Sequence, residues 1–237
     1  MTQVKKFVGW MVIVLLTCSC DQTDETGTRN THLNYFPLKA GQYRIYSVEE
    51  IRFALSTPET LHYDLKVIAT DSFINDEGGQ TYILHRFRRT DGSNWVPDET
   101  WSAFQRQDQM IVSQGNVPYV VLEFPLEKGR RWNGNAYNTI PQFYTGDTTD
   151  EYELISVDES VQLGDQTYSH CAVVQQEDEE DPILYKDFRR EVYAPDIGLI
   201  EKETVQLKYC NRDACLGEKM VEEGTMLTQS LIEHGEE

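Results

Sequence analysis

The chain has 237 residues, 39% of them apolar and 11% aromatic, enough for a core and too aromatic for a disordered chain. Gly and Pro together number 23, which excludes collagen-like and low-complexity character. Forty acids against 21 bases give a net charge of −19, a balance that repels phosphate backbones and excludes nucleic acid as a partner.

Lys5 and Lys6 precede an uncharged run from Phe7 to Thr17. This is the charged head and apolar stretch of a signal peptide, well short of the ~20 residues that span a bilayer. The run ends in Thr17-Cys18-Ser19-Cys20-Asp21, where a small residue before Cys resembles the lipobox of bacterial lipoproteins. That resemblance implies cleavage after residue 19 and acylation of Cys20 with palmitate-type chains, so that outer-membrane lipid becomes the first partner. Cys20 is preferred to Cys18 because Ser19 precedes it and a polar chain follows; Thr17 and Cys18 depart from the usual pattern. Plain secretion after cleavage nearby is the bland reading. Residues 20–33 read as an acidic flexible tether. Asp21, Asp24 and Glu25 resemble the export signal that carries Bacteroidetes-type lipoproteins to the outer face of the outer membrane. The expected location is therefore the outer membrane facing the exterior, with the periplasmic face as the alternative.

From Tyr35 onward the apolar pattern has period two, which predicts half-buried antiparallel strands. Tyr63, Leu65, Val67 and Ala69 form one apolar face. Ile83 and Phe87 are read as the apolar side of the next strand, against Tyr82, Leu84, Arg86 and Arg88. Pro118 to Pro125 encloses a strand, and Val205, Leu207 and Tyr209 mark another. Turn signals lie at 75–79, 90–93, 127–129, 133–135 and 145–147. The expectation is an all-β fold: a strongly curved antiparallel sheet of roughly ten strands, closing toward a barrel or sandwich, with little helix. A single β domain would span 34–237. Tyr63-Asp64-Leu65 leading to Gln80-Thr81-Tyr82 echoes Tyr152-Glu153-Leu154 leading to Gln166-Thr167-Tyr168, so two similar halves, 34–138 and 139–237, are an open alternative.

Four pieces together resemble an uncharacterised family of extracytoplasmic lipoproteins from Bacteroidetes-type bacteria. They are residues 35–43 (Tyr35 to Tyr43), residues 123–126, Trp132-Asn133-Gly134-Asn135-Ala136-Tyr137-Asn138, and residues 191–200 (Glu191 to Ile200). The resemblance implies a β-rich fold and an envelope location, and it carries over no catalytic residue. Asp196 stands where the family pattern has Gly, so the turn there is expected to differ in backbone torsion.

No nucleophile elbow, zinc-protease helix motif, phosphate loop or dinucleotide fingerprint occurs, and no cofactor or metal site is expected. His85 and His170 read as ordinary sheet residues. The acidic run 177–181 lacks the spaced oxygens and glycine of a calcium loop and reads as a solvated hairpin tip. Arg88-Arg89, Arg130-Arg131 and Arg189-Arg190 read as cross-strand partners for the surplus carboxylates. Trp95, Trp101 and Phe104 are the candidate ligand surface, since indole faces in a polar segment suit sugars; capping of the core is the rival role. Cys210 and Cys215, separated by a polar four-residue loop, are expected to form a disulfide, leaving Cys171 as a small buried core residue. The functional expectation is a non-enzymatic, lipid-anchored envelope protein that binds an extracellular ligand such as a glycan, or supports an envelope assembly. The alternatives are a carrier of an apolar ligand in a barrel-like cavity and a glycan-acting hydrolase.

Overall fold

A computed structural model describes residues 32–237. The signal peptide, Cys18, Cys20 and nearly all of the tether lie outside these residues. After a short 3-10 turn at Leu33–Tyr35, twelve strands follow in order. They are β1 (Gln42–Ala54), β2 (Thr57–Ile74), β3 (Gln80–Arg89), β4 (Val96–Arg106), β5 (Gln109–Gln114), β6 (Val117–Glu123), β7 (Arg131–Asn133), β8 (Glu151–Leu163), β9 (Gln166–Asp181), β10 (Tyr185–Ala194), β11 (Gly198–Tyr209) and β12 (Val221–Glu236).

All pair antiparallel in one sheet of order β6-β5-β4-β3-β2-β1-β12-β11-β10-β9-β8-β7. Every neighbour is adjacent in sequence except β1 and β12, which join the two six-strand meanders. The free edges, β6 and β7, then curl together until the sheet is nearly a closed barrel. The Val120 amide donates to the Gly134 carbonyl at 2.9 Å, the Trp132 indole to the Val120 carbonyl at 2.8 Å, and the Asn138 side chain to the Pro118 carbonyl at 2.7 Å. Pro118 sits within β6 and not before it, at the sheet edge where a residue without N–H removes no ladder bond.

The count of twelve exceeds the expected ten because two turns carry no Gly or Pro. Leu55-Ser56 turns β1 into β2 with φ of 51° and 65°, and Gln107 turns β4 into β5 with φ of 54°. Conversely, the turn signals at 127–129, 133–135 and 145–147 make no hairpins. They fall in the one long connection, 124–150, that carries the chain across the seam and includes three-residue β7. The acidic run 177–181 is likewise strand: it ends β9 and pairs with β10, and the tip is Pro182-Ile183-Leu184.

The main core straddles the seam. Val120 and Leu122 of β6, Leu154 of β8 and Val174 of β9 are wholly buried, beside Ala103, Ile111, Trp132 and Tyr193. Each large apolar side chain contributes ~1.5–3 kcal/mol on burial, against about 1 kcal/mol for a net hydrogen bond, so packing closes the barrel and the seam bonds fix its register. A second cluster joins Cys171, Val173, Val192, Ile200 and Leu231 to Tyr46 and Leu65. Onto it fold Val161, Leu163 and Tyr168 from the β8–β9 hairpin, which bends through three register shifts in β8 and a left-handed His170 (φ 57°). At the Asp196 turn φ is 64°, a left-handed conformation open to glycine and one that Asp tolerates better than most residues.

Candidate functional site

Alternation along β10 places Tyr185, Asp187, Arg189 and Glu191 on one face, and along β11 Lys202, Thr204 and Gln206. From this face Arg189, Glu191, Lys202, Thr204 and Gln206 line a chamber of ≈ 410 Å³ inside the barrel. The connection 138–150 forms the opposite wall with Ile140, Pro141, Gln142, Phe143 and Asp150. It is held there by the Asn135 amide on the Ile140 carbonyl at 3.0 Å, by Tyr144 stacked on Tyr185 at 4.0 Å between centroids, and by Lys208 5.2 Å from the Phe143 ring.

The charges of the chamber are paired. Arg189 makes a bidentate contact to Asp150 at 2.7 and 2.9 Å and a third contact to Asp187 at 2.9 Å. Burial alone would lower the Arg189 pKa, but the two carboxylates more than offset it and the net direction is upward. Lys202 meets Glu191 at 2.9 Å, and the Tyr193 hydroxyl donates to the same carboxylate. Burial pushes Glu191 up; Lys202, Tyr193 and Gln176 outweigh it, so its pKa lies below the usual carboxylate value.

A narrower arm of ≈ 80 Å³ continues the chamber toward β1–β4, sharing Gln114, Val121, Glu191 and Lys202 with it. Its walls are mostly apolar, with Val67, Leu84, Val112 and Leu199 among them, and they carry the guanidinium groups of Arg44 and Arg86. Here β3 reverses its expected polarity: Leu84 and Arg86 face the interior, while Ile83 and Phe87 take the other side. The inversion is stable because Arg86 lies 3.7 Å over the Trp101 ring and Arg88 lies 4.5 Å over Tyr63, so that ring faces and long stems cover the charge.

Of the sequence-derived site residues, Trp101 lines this arm. Trp95 stands in the β3–β4 connection with the Arg89 guanidinium 4.4 Å over its ring. Phe104, three residues from Trp101 on a regularly paired stretch of β4, has the opposite parity, and both residues pack against the main core. The three therefore present no shared face. Cys210 and Cys215 are bridged with Cα atoms 5.9 Å apart, and Cys171 is free and buried. The arginine pairs meet carboxylates as expected: Arg88 with Asp98, Arg89 with Asp64, Arg130 with Glu123 and Glu127, Arg131 with Glu151 and Glu153, Arg190 with Glu201. Arg189 differs, because its partners lie inside the barrel. Arg44, Arg86, Asp150, Glu191 and Lys202 escaped the sequence reading; the one signal was charge inside alternating strands, which ordinarily marks the solvent face.

The Trp132-to-Asn138 piece builds the seam. The Asn133 side-chain oxygen accepts from the amides of Asn135 and Asp150, each at 3.0 Å, and the Gly134 amide donates to the Asp150 carbonyl at 2.7 Å. Asp150 is thereby aimed at Arg189.

No protein-family model matches the chain, and no curated protein matches it. Among solved structures it is similar to a protein from Bacteroides fragilis inferred to be exported and described with a YmcC-like fold, at 13% identity and a TM-score of 0.44, over 85% of this chain and 98% of that one. It is also similar to a protein from Parabacteroides distasonis inferred to be a lipoprotein, at 11% identity and a TM-score of 0.44, over the same shares. At these values the likeness says nothing of what the chain binds.

Proposed function

We propose that the protein is a lipid-anchored component of the cell envelope that holds a small ligand inside its barrel without transforming it. The observation that carries this reading is the ≈ 410 Å³ chamber, within the size range of ligand sites and lined by amides, hydroxyls and paired charges. Its polar groups are arranged to bind. Asp150 and Asp187 both grip Arg189, and Glu191 is held ionised by Lys202, whereas a glycosidase acid needs a carboxyl whose pKa is raised. In the larger chamber Gln142 and Gln206 donate to Asp150 and Asp187, so its wall is a network of satisfied polar groups that offers a purely aliphatic guest little apolar surface. Only the arm suits an apolar moiety.

The anchor in this proposal is Cys20, supported by the apolar run before it and the polar chain after it. Two measurements test the reading together. Cys20→Ala should shift the protein from the membrane to the soluble fraction, and thermal-shift screening against neutral sugars, acidic sugars and fatty acids should find a stabilising compound. Membrane retention of Cys20→Ala, or no stabilisation across all three classes, contradicts it.

A further inference from the structure

The arm has a charge balance opposite to that of the chain. Arg44, Arg86 and Lys202 line it against one carboxylate, Glu191, in a protein with 40 acids and 21 bases. Lys202 is committed to Glu191. Arg44, only 8% exposed, meets no carboxylate: its Nε donates to the Ile197 carbonyl and its Nη2 to the Pro37 carbonyl at 3.1 Å, and Nη1 has no acceptor among the described residues. Arg86 is similarly under-served. Its buried Nε has no acceptor, and Asp98 and Glu99 stand off at 3.8 and 4.0 Å. Asp98 is drawn to Arg88 at 2.8 Å, and Glu99 accepts the Trp101 indole N–H at 2.7 Å. Desolvation lowers the pKa of both guanidinium groups.

Arg44 thus meets no carboxylate and Arg86 only ones too distant to hydrogen-bond it, an incomplete compensation that is costly for a buried cation, and both border the same open space. An oxyanion entering the arm would border both guanidinium groups, which favour carboxylates as partners. The ≈ 80 Å³ of the arm holds a head group and no more. The body of such a ligand must lie in the larger chamber, where the Thr204 hydroxyl can both donate and accept, as hydroxyls require, the amides of Gln142 and Gln206, which donate to Asp150 and Asp187, keep the wall polar, and the Tyr119 ring offers a face for C–H surfaces.

We propose that the barrel binds an acidic sugar, with its carboxylate in the arm against Arg44 and Arg86 and its hydroxylated ring among the amides of the larger chamber. This inference rests on the interior being a ligand chamber and adds the class of ligand. Calorimetric titration of the anchored chain in nanodiscs with glucuronate, its methyl ester, glucose and octanoate tests it. Glucuronate should bind at least tenfold more tightly than the other three. Arg86→Gln should erase that advantage while leaving the circular dichroism spectrum unchanged. Arg44→Lys, which keeps the charge and loses the fork, should weaken glucuronate alone, and it guards against a fold defect in either variant. Equal binding of glucuronate and its methyl ester, or undiminished binding to Arg86→Gln, overturns the acidic sugar while the chamber reading stands. Silence from all four compounds, with no stabilising compound in the thermal-shift screen, overturns both.

Discussion

A Cβ on Gly134 would stand 2.3 Å from the Tyr152 ring, so any other residue here forces the ring to move. Gly134→Ala must displace the buried Tyr152 that packs edge-on to Trp132 at 6.0 Å, and it should cost 1–3 kcal/mol of stability, read as a lower urea midpoint. Arg189 is the counterpart in charge. Replacing it with Leu strands Asp150 and Asp187, each with a side chain 6% exposed, and should cost about 3–5 kcal/mol. Glu191 gives the pH dependence. Its folded pKa lies below the unfolded value of ~4.3, so its contribution is present above that value and is lost as pH falls through the lower one. Glu191→Gln should therefore flatten the acid limb of a stability profile measured below about pH 4. At the alkaline end, burial pushes Tyr46 up to about 12, against the partial counter-effect of Arg44. Its stabilising contribution is complete below pH ~10 and is lost through about pH 12, so Tyr46→Phe should lessen the alkaline loss of stability.

At the level of elements, β6 and β7 meet by few bonds and much burial, and the Trp132 indole contributes to both. Trp132→Phe keeps most of the apolar surface and leaves the Val120 carbonyl without its donor, a change of about 1–3 kcal/mol. Faster hydrogen exchange at the Val120 amide, with β1–β3 unaffected, is the expected signature; uniform acceleration would mean that the seam opens only with the whole barrel. The β11–β12 connection is tied by Cys210 and Cys215 across a loop so short that its loss should cost about 2 kcal/mol. This bridge was legible in the sequence because the spacing alone places the two Cα atoms within reach. The alternating strands were legible for the same kind of local reason. The turns at Leu55-Ser56 and Gln107 were not, since nothing in their side chains announces a left-handed backbone. The turn residues at 127–129, 133–135 and 145–147 were legible as turns, but not the seam they build, because a seam is a relation between residues far apart.

For the whole molecule, the fold class followed from periodicity and the interior did not. Binary patterning assigns charge to the outside, and on β3 that logic turned Leu84 and Arg86 outward. Only the closed barrel shows why they face in: Trp101 from β4 and Tyr63 from β2 supply the surfaces on which Arg86 and Arg88 rest. Trp101 drew notice as an aromatic in a polar stretch, and it does border the arm. Glu191 and Lys202 face each other within the β10–β11 hairpin, but Arg44 of β1 joins them only through the β1–β12 junction, a relation that no local pattern reveals. The central claim is that this interior is occupied in the envelope. Native mass spectrometry of the chain released gently from its own membranes tests that claim most directly. The account predicts a bound small molecule of defined mass in addition to the acyl groups on Cys20, released on unfolding and missing from a Thr204→Trp variant whose indole fills the chamber. The same bare, acylated mass for both proteins would contradict it.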